Sequence, residues 1–365
     1  MQFIDLRQQY DHLQSDIQAS INTVLNHGQY ILGPEVKQLE EQLANFAGTK
    51  HCITVANGTD ALMVSLMALG IKPGDEVITS PFTFIANGEM IAILGAKPVF
   101  VDIDPLTYNI DVSKIKSAIT KKTKCIIPIS LYGQCADMDA INAIADEYHL
   151  SVIEDGAQSF GATYKGKKSC GLSTVGCTSF FPSKPLGCYG DGGACFTDND
   201  EIATTMRQIR IHGQEKRYHH SVLGVNSRLD TLQAAILLVK LSVFDQEVKQ
   251  RMRIGQRYHD LLNKHVKTMH VASTNTCVFA QYTIEVPNRE AVRNYLEKQK
   301  IPTAVHYPLP LNLQPVFAEF IPKDIRFPVA EKAANSVMSL PMHPYLSESE
   351  QDDIVKHLIQ ALHHC

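Results

Sequence analysis

Residues 178–193 read Thr178-Ser179-Phe180-Phe181-Pro182-Ser183-Lys184-Pro185-Leu186-Gly187-Cys188-Tyr189-Gly190-Asp191-Gly192-Gly193. The first residues are typical of a strand that ends at Pro182, and four glycines among the last seven residues predict a tight turn that can adopt positive φ. Lys184 is therefore expected at a strand end with little freedom. This position suits an amine that must form a Schiff base better than a solvated charge. An ordinary surface lysine is the alternative.

A second strand end lies upstream, in Leu150-Ser151-Val152-Ile153-Glu154-Asp155-Gly156-Ala157-Gln158-Ser159. Open α/β sheets bind ligands at the carboxyl ends of their strands, which is where Asp155 is predicted to lie. An aspartate at one strand end and a lysine at another fit pyridoxal phosphate, because the lysine bonds to the aldehyde and the aspartate pairs with the protonated pyridine nitrogen. Asp155 could instead only cap the following turn.

Short apolar runs alternate with helical patterns between residues 51 and 155, which predicts a mostly parallel sheet covered by helices on both faces. The first of these strands, 51–56, leads through Asn57-Gly58-Thr59 into a helix. Free backbone N–H groups and the helix dipole make such a start a phosphate site, although Asn57 and Thr59 could merely cap the helix. Further helices are predicted over 82–94, where Phe84 is a ligand-edge or a core aromatic, and over 329–338.

A long helical pattern near residues 229–262 is predicted to bridge two domains, a large domain of residues 1–240 and a small C-terminal α+β domain of residues 241–365. Strands are expected in the small domain at 278–286 and 302–305. The segment 213–227 is polar and is expected to be a loop. Its adjacent His219 and His220 have no further ligand at metal spacing, so no metal site is predicted.

The composition excludes several classes of protein. The chain has 365 residues, 44% hydrophobic and 20% charged, with a formal net charge of −4, so neither nucleic-acid binding nor a membrane surface is expected. It has no apolar run of membrane-spanning length and no signal-peptide pattern at its start. Nine scattered cysteines without a C-x-x-C pair indicate reduced thiols and a cytoplasmic protein.

These segments, together with residues 56–62 (Ala-Asn-Gly-Thr-Asp-Ala-Leu) and 224–235 (Gly-Val-Asn-Ser-Arg-Leu-Asp-Thr-Leu-Gln-Ala-Ala), resemble the pyridoxal-phosphate-dependent sugar-nucleotide aminotransferases of the DegT/StrS type over essentially the whole chain. The resemblance implies an α/β protein of the fold type I class of pyridoxal-phosphate enzymes, with a mostly parallel central sheet between helices and a smaller C-terminal α+β domain. It also implies transfer of an amino group from L-glutamate to the C3 ketone of a nucleotide-linked sugar. Pyridoxamine phosphate would carry the amino group between the two half-reactions.

The resemblance further implies a UDP-sugar substrate, UDP-2-acetamido-2-deoxy-3-oxo-D-glucuronate, and a place in surface polysaccharide or lipopolysaccharide O-antigen synthesis. It assigns catalysis to Lys184 and Asp155. It implies a homodimer with shared active sites, since Asn226 is expected to reach the phosphate of the neighbouring subunit. The other implied contacts are Gly58, Thr59 and Ser179 to the phosphate, Gln158 to the phenolic oxygen region, Phe84 stacked on the pyridine ring, and Arg228, His306 and Tyr307 to the sugar nucleotide.

Other functions remain open at this point. A dTDP-3-keto-6-deoxyhexose is the alternative amino acceptor. Relatives that dehydrate a sugar at C3 replace the lysine with histidine, so Lys184 argues against that reaction. A regulator that binds nucleotide sugars without catalysis is a third possibility, which the joint presence of Lys184, Asp155, Gln158 and Ser179 makes the weaker one. No P-loop pattern occurs, and residues 187–193 do not form a dinucleotide-binding G-x-G-x-x-G.

Overall fold

The computed structural model describes residues 1–322 and 324–364. Its α-helices, numbered α1 to α11 in chain order, are Leu6–His27, Pro34–Ala47, Gly58–Ala68, Ala86–Ile93, Val112–Ala118, Met138–Tyr148, Asp200–Ile209, Thr231–Leu262, Arg289–Lys298, Pro328–Ser336 and Glu348–His364. Its strands, numbered β1 to β14, are His51–Val55, Glu76–Thr79, Lys97–Phe100, Thr123–Ile127, Ser151–Asp155, Thr163–Tyr164, Lys167–Lys168, Val175–Ser179, Gly193–Thr197, Gln214–Lys216, His219–His220, Lys267–Thr268, Tyr282–Glu285 and Val337–Leu340.

A seven-stranded sheet forms the centre of the structure, in the order β1-β9-β8-β5-β4-β2-β3. The pairings between β8, β5, β4, β2 and β3 are all parallel, and β9 runs antiparallel to both of its neighbours, β1 and β8. This topology confirms the predicted mostly parallel sheet and the α/β fold class.

Two hydrophobic cores cover the two faces of this sheet. Successive residues of a strand point to opposite faces, and accordingly Val77 packs in one core and Ile78 in the other. Leu39 of α2 belongs to the same core as Ile78, whereas Leu62 of α3 belongs to the same core as Val77. Because helices close both faces, the strand ends are where polar side chains can gather around a ligand.

Helix α8 links this part of the chain to a smaller antiparallel sheet, in the order β12-β13-β14. Leu237 and Phe244 in its first half pack in the core shared with α2, and Tyr258 and Leu262 in its second half pack in the core around the small sheet. The helix therefore contributes residues to both cores, and the division of the chain into two domains that it would bridge stays a prediction. The domain boundary between residues 240 and 241 falls inside it and stays a prediction.

Several predicted elements differ in the structure. The helix expected over 82–94 begins at Ala86, because residues 81–85 form a loop in which the Pro81 carbonyl accepts a hydrogen bond from the Leu311 N–H at 2.7 Å. The helix expected over 329–338 ends at Ser336, since the next residues pair with β13 as β14. Residues 302–305 form a single bridge between Ala304 and Ser339 rather than a strand, and the polar segment 213–227 contains the β10–β11 hairpin.

Three further features of the described chain concern its cysteines, its longest apolar helices and its possible metal ligands. Eight of the nine cysteines lie in the described part of the chain, and all eight are buried free thiols. Across residues 1–322 and 324–364, no helix is both long and apolar enough to cross a membrane. The same residues contain no group of three or more histidine, cysteine, aspartate or glutamate side chains placed to hold a metal ion.

Candidate active site

A cavity of about 610 Å³ opens at the carboxyl ends of the central strands. Nine of the predicted site residues line it: Gly58, Thr59, Phe84, Asp155, Gln158, Ser179, Lys184, His306 and Tyr307. Asn226 and Arg228 are not among its lining residues. One chain therefore brings together all of the predicted cofactor contacts except Asn226, and Arg228, predicted to bind the substrate, also lies outside this lining.

Lys184 projects from a loop that leaves the sheet at the end of β8. The strand ends at Ser179, three residues earlier than predicted, and buried Phe180 follows it. The loop then turns back on itself, because the Lys184 N–H donates to the Phe181 carbonyl at 2.9 Å and the Cys188 N–H donates to the Phe180 carbonyl at 2.8 Å. Burial lowers the pKa of Lys184, and the negative charge of Asp155 opposes this shift. A lowered pKa leaves more of the amine uncharged and nucleophilic at neutral pH.

Asp155 is buried at the end of β5, and both of its carboxylate oxygens are held. Oδ1 accepts a hydrogen bond from the Ala157 N–H at 3.0 Å, and Oδ2 accepts one from Asn87 Nδ2 at 2.7 Å. The bond to Ala157 is the turn-capping contact considered from the sequence, so capping and a functional role are compatible. Two donors fix the carboxylate plane, while each oxygen keeps a lone pair for a third donor such as a ring N–H.

The start of α3 forms a cradle suited to a phosphate. Asn57 caps the helix by accepting from the Asp60 N–H at 2.7 Å, which is the contact that the sequence offered as the alternative to a phosphate site. A Cβ placed on Gly58 would lie 2.6 Å from Ser179 Cβ, so only glycine lets the helix start approach Ser179 this closely. Free N–H groups at a helix start and two hydroxyls, on Thr59 and Ser179, are a donor set that binds phosphate.

Gln158 is fixed from two sides. Its Oε1 accepts from the Tyr132 N–H at 2.8 Å, and its Nε2 donates to the Tyr307 hydroxyl at 3.1 Å. The second Nε2 hydrogen remains available for a ligand oxygen. Phe84 stands at the cavity with 55% of its surface exposed, its ring centroid 6.4 Å from that of Tyr307. The alternative that Phe84 belongs to the core is therefore wrong, and its ring face is free to stack on a flat ligand.

His306 enters the cavity from the chain that follows α9. Its Nδ1 lies 3.0 Å from Ser339 Oγ, which leaves Nε2 for the cavity. Burial lowers the pKa of His306 to about 4, and the positive charge of Lys184 adds to the shift. The imidazole is therefore neutral at pH 7 and can offer or accept a hydrogen bond, but not a positive charge, to a substrate.

The structure adds residues that the sequence did not suggest. Asn87 in the first turn of α4 is almost fully buried and donates to Asp155. Gln281, just before β13, lines the cavity, and its buried Oε1 has no hydrogen-bond partner among residues 1–322 and 324–364. Phe181 and Asp191 also line it. Asn87 and Gln281 come from segments far from Lys184 in sequence, so no local pattern could have identified them, whereas Phe181 and Asp191 belong to the same stretch as Lys184.

Asn226 and Arg228 lie on the segment that precedes α8. Asn226 is exposed and forms an isolated bridge with Ile211. Arg228 is half-buried, and its buried Nε has no partner within the described chain. Neither contacts the cavity of its own chain, so a role for them at an active site requires a second subunit.

An aspartate at one strand end and a lysine in the loop that follows another strand line one cavity beside the start of α3, an arrangement that suits pyridoxal phosphate chemistry. Comparison with known families agrees, since the model of the DegT/DnrJ/EryC1/StrS aminotransferase family matches residues 11–359. The chain belongs to this family, and it is an aminotransferase.

Three similar proteins show how much of the chain is shared. The UDP-2-acetamido-2-deoxy-3-oxo-D-glucuronate aminotransferase of Pseudomonas aeruginosa is 60% identical over 95% of this chain and 96% of its own length. A pleiotropic regulatory protein of Geobacillus stearothermophilus is 48% identical over 99% of this chain and 98% of its own. The crystal structure of NtdA from Bacillus subtilis with bound cofactor PMP superposes with a TM-score of 0.91, with 32% identity over 97% of this chain and 82% of that one. Family and structural neighbour thus support pyridoxal phosphate as the cofactor.

Proposed function

We propose that this protein transfers an amino group from L-glutamate to the C3 ketone of UDP-2-acetamido-2-deoxy-3-oxo-D-glucuronate, with Lys184 and Asp155 at the reacting centre. The observation that carries the chemistry is that both side chains line one cavity together with the start of α3. The substrate rests on the 60% identity to the P. aeruginosa enzyme over nearly the full length of both chains. A role in surface polysaccharide or O-antigen synthesis, in the cytoplasm, follows from this substrate.

The residues present fit pyridoxal phosphate. The N–H groups that open α3 and the hydroxyls of Thr59 and Ser179 would hold the phosphate, and Asp155 would pair with the ring nitrogen. Gln158 has one free N–H for the phenolic oxygen, and the exposed face of Phe84 would cover the ring. When bound, the cofactor supplies an aldehyde that bonds to amines and a ring that accepts an electron pair.

Asp155 and Lys184 have separate tasks in this scheme. Asp155, oriented by Asn87 and Ala157, would pair with the protonated ring nitrogen, which lets the ring accept an electron pair. Lys184 Nζ would hold the cofactor in the resting enzyme. Once released, it takes the proton that leaves Cα of the amino donor and holds it for return, a task that its lowered pKa favours. The same residues would serve the second half-reaction, in which the steps occur in reverse order and the keto sugar receives the amino group.

The sugar nucleotide would lie between the two parts of the chain, near His306 and Tyr307. Because His306 is neutral at pH 7, the negative charges of the substrate need another partner. Arg228 offers a planar, permanently charged fork suited to a carboxylate or diphosphate, but only to an active site of a neighbouring subunit. We therefore propose a homodimer in which Asn226 and Arg228 complete the partner's site.

The test is a panel of UDP- and dTDP-linked 3-keto sugars assayed with L-glutamate, following 2-oxoglutarate. We expect turnover with the UDP-linked uronate and none with Lys184→Ala, which should still bind pyridoxamine phosphate because its phosphate cradle is intact. A clear preference for a dTDP-3-keto-6-deoxyhexose would overturn the substrate and leave the aminotransferase standing. Turnover by Lys184→Ala at the wild-type rate would remove Lys184 from the mechanism.

A regulatory role is a second candidate, because the regulatory protein of G. stearothermophilus is 48% identical over nearly the whole chain. One simple absorbance measurement distinguishes the two candidate functions. An aminotransferase loaded with pyridoxal phosphate changes its visible absorbance when glutamate is added, whereas a binding protein without catalysis does not.

A further inference from the structure

Lys240 of α8 is a buried lysine that the site described above does not use. It is 1% exposed, and among residues 1–322 and 324–364 Glu247 is the carboxylate that acts on its ammonium group, through its charge and without a hydrogen bond. Burying a charge without a carboxylate partner destabilises a fold unless other contacts compensate. Burial lowers the pKa of Lys240 to about 8, and the more distant charge of Glu247 opposes this shift. The contacts that its ammonium group makes with the rest of the chain should therefore serve a function that justifies this cost.

Both of those contacts lie in the loop that carries Lys184. Lys240 Nζ donates a hydrogen bond to the Gly187 carbonyl, and it stands 4.9 Å from the centre of the Tyr189 ring, a cation–π distance. Gly187 is buried, so its carbonyl would otherwise lack a partner in the core. A long side chain with a terminal donor spans the gap from α8 to this carbonyl.

The loop is so tightly packed that a hydrogen bond at Gly187 also restrains the position of Lys184. A Cβ on Gly187 would lie 2.5 Å from the Pro182 carbonyl oxygen and 2.7 Å from that of Phe181, so the chain before and after Lys184 is in close contact. The Lys184 N–H itself donates to the Phe181 carbonyl at 2.9 Å. Displacement of Gly187 would therefore carry the backbone of Lys184 with it.

A second residue of α8 holds the same loop. Gln233 lies seven residues before Lys240, hence on the same face of the helix. Its Oε1 accepts from the Tyr189 N–H at 2.8 Å, and its Nε2 donates to the Tyr189 carbonyl at 3.2 Å. Helix α8 thus holds the loop at residues 187 and 189, neither of which lines the cavity.

We propose that Lys240, assisted by Gln233, is a positioning residue that sets the Lys184 amine in the geometry needed for attachment to the cofactor and for proton transfer. The inference rests on the proposed role of Lys184. It assigns Lys240 no contact with substrate or cofactor. Misplacement of a reacting group by about 1 Å can cost on the order of a hundredfold in rate, so loss of the hold at Gly187 should be measurable.

The experiment measures how fast the cofactor-free chain bonds covalently to pyridoxal phosphate, which does not depend on any sugar substrate. Capture is followed by absorbance, then fixed with borohydride and located by mass spectrometry. Lys240→Met keeps most of the apolar stem and removes the donor. Lys249→Met on an exposed position of the same helix is the control. We expect capture by Lys240→Met to slow on the order of tenfold, kcat to fall with it, and KM for the keto sugar to stay near the wild-type value.

Rates are normalised to the folded fraction from circular dichroism. If Lys240→Met does not fold, Gln233→Met tests the attachment of the same loop to α8 without changing a charge. Slower bonding of the Gln233→Met chain to pyridoxal phosphate supports the proposal. Capture at the wild-type rate by whichever folded variant is measured overturns it. Lys184→Ala distinguishes failure of the premise, because capture at another lysine would refute the role of Lys184 rather than that of Lys240.

Discussion

The wild-type chain is expected to lose stability as the pH rises because Glu154, buried in its core, ionises less readily than in the unfolded chain. The substitution Glu154→Gln should remove this pH-dependent loss. Glu154 is fully buried in β5, next to Asp155 but on the opposite face of the strand. It accepts hydrogen bonds from Ser169 Oγ at 2.7 Å, the Cys170 N–H at 2.8 Å and Ser130 Oγ at 3.3 Å. Burial raises its pKa from 4.5 to about 7, although these donors oppose the shift.

The sign and size of the effect follow from this shift. Below about pH 4.5 the carboxyl is protonated in both the folded and the unfolded chain. As the pH rises to about 7, the unfolded chain ionises first, so the folded state progressively loses stability, and the loss is complete above pH 7. One pKa unit corresponds to about 1.4 kcal/mol, so the total is about 3 kcal/mol.

Glutamine fits the same position. Its oxygen can accept from the Cys170 N–H, and its amide can donate to Ser130 and Ser169, whose hydroxyls are free to rotate. Relative to wild type, Glu154→Gln should therefore gain about 3 kcal/mol in free energy of unfolding between pH 4.5 and 8. The assay is urea unfolding across this range at one protein concentration. Glu297→Gln, an exposed position on α9, serves as the control.

A stability difference between Glu154→Gln and wild type that stays flat from pH 4.5 to 8 would refute this account of Glu154. So would an equal gain in Glu297→Gln, because that gain could not come from burial.

Three predictions concern the active site. Asp155→Asn should slow the half-reaction with glutamate on the order of a hundredfold, because the ring nitrogen no longer has an ionised partner; a stopped-flow rate within about threefold of wild type would contradict this. If Asn226 serves the partner's site, mixing Asn226→Ala with Lys184→Ala chains should restore activity, since one site of each mixed dimer is intact. A mixed dimer of wild type with the double mutant Asn226→Ala, Lys184→Ala has no intact site. Activity in that mixed dimer, and none in the dimer of the two single mutants, would place Asn226 in its own chain's site. Arg228→Lys should impair the uronate more than an analogue that is neutral at C6 if Arg228 meets the carboxylate, and both alike if it meets the diphosphate.

The two residues proposed for the reacting centre could be predicted because each lies at or just after the end of a strand whose pattern is local. Lys184 follows an apolar run and precedes a glycine-rich turn, and Asp155 closes a short buried strand. Chain direction in a parallel sheet then brings both ends to one edge. The strand order itself did not follow from these patterns, since the antiparallel insertion of β9 depends on contacts across the whole sheet.

Features that depend on contacts between distant segments were missed. Asn87 reaches Asp155 from another helix, and nothing in its neighbouring sequence marks it. Residues 337 and 338 are predicted to end a helix, yet they pair with β13 as the start of β14, because long-range hydrogen bonds override local preference. Arg228 was predicted from a motif, and the single chain does not bring it to the cavity.

The position of β9 also has a consequence for protein synthesis. Strand β1 pairs only with β9 in the central sheet, and its end leads directly into the cradle at the start of α3. A nascent chain that has not yet exposed residues 193–197 therefore lacks the strand that joins β1 to the sheet, and only packing against earlier elements such as β8 positions the cradle. A ribosome-bound fragment ending before Gly193 should retain pyridoxal phosphate less well than one that exposes β9.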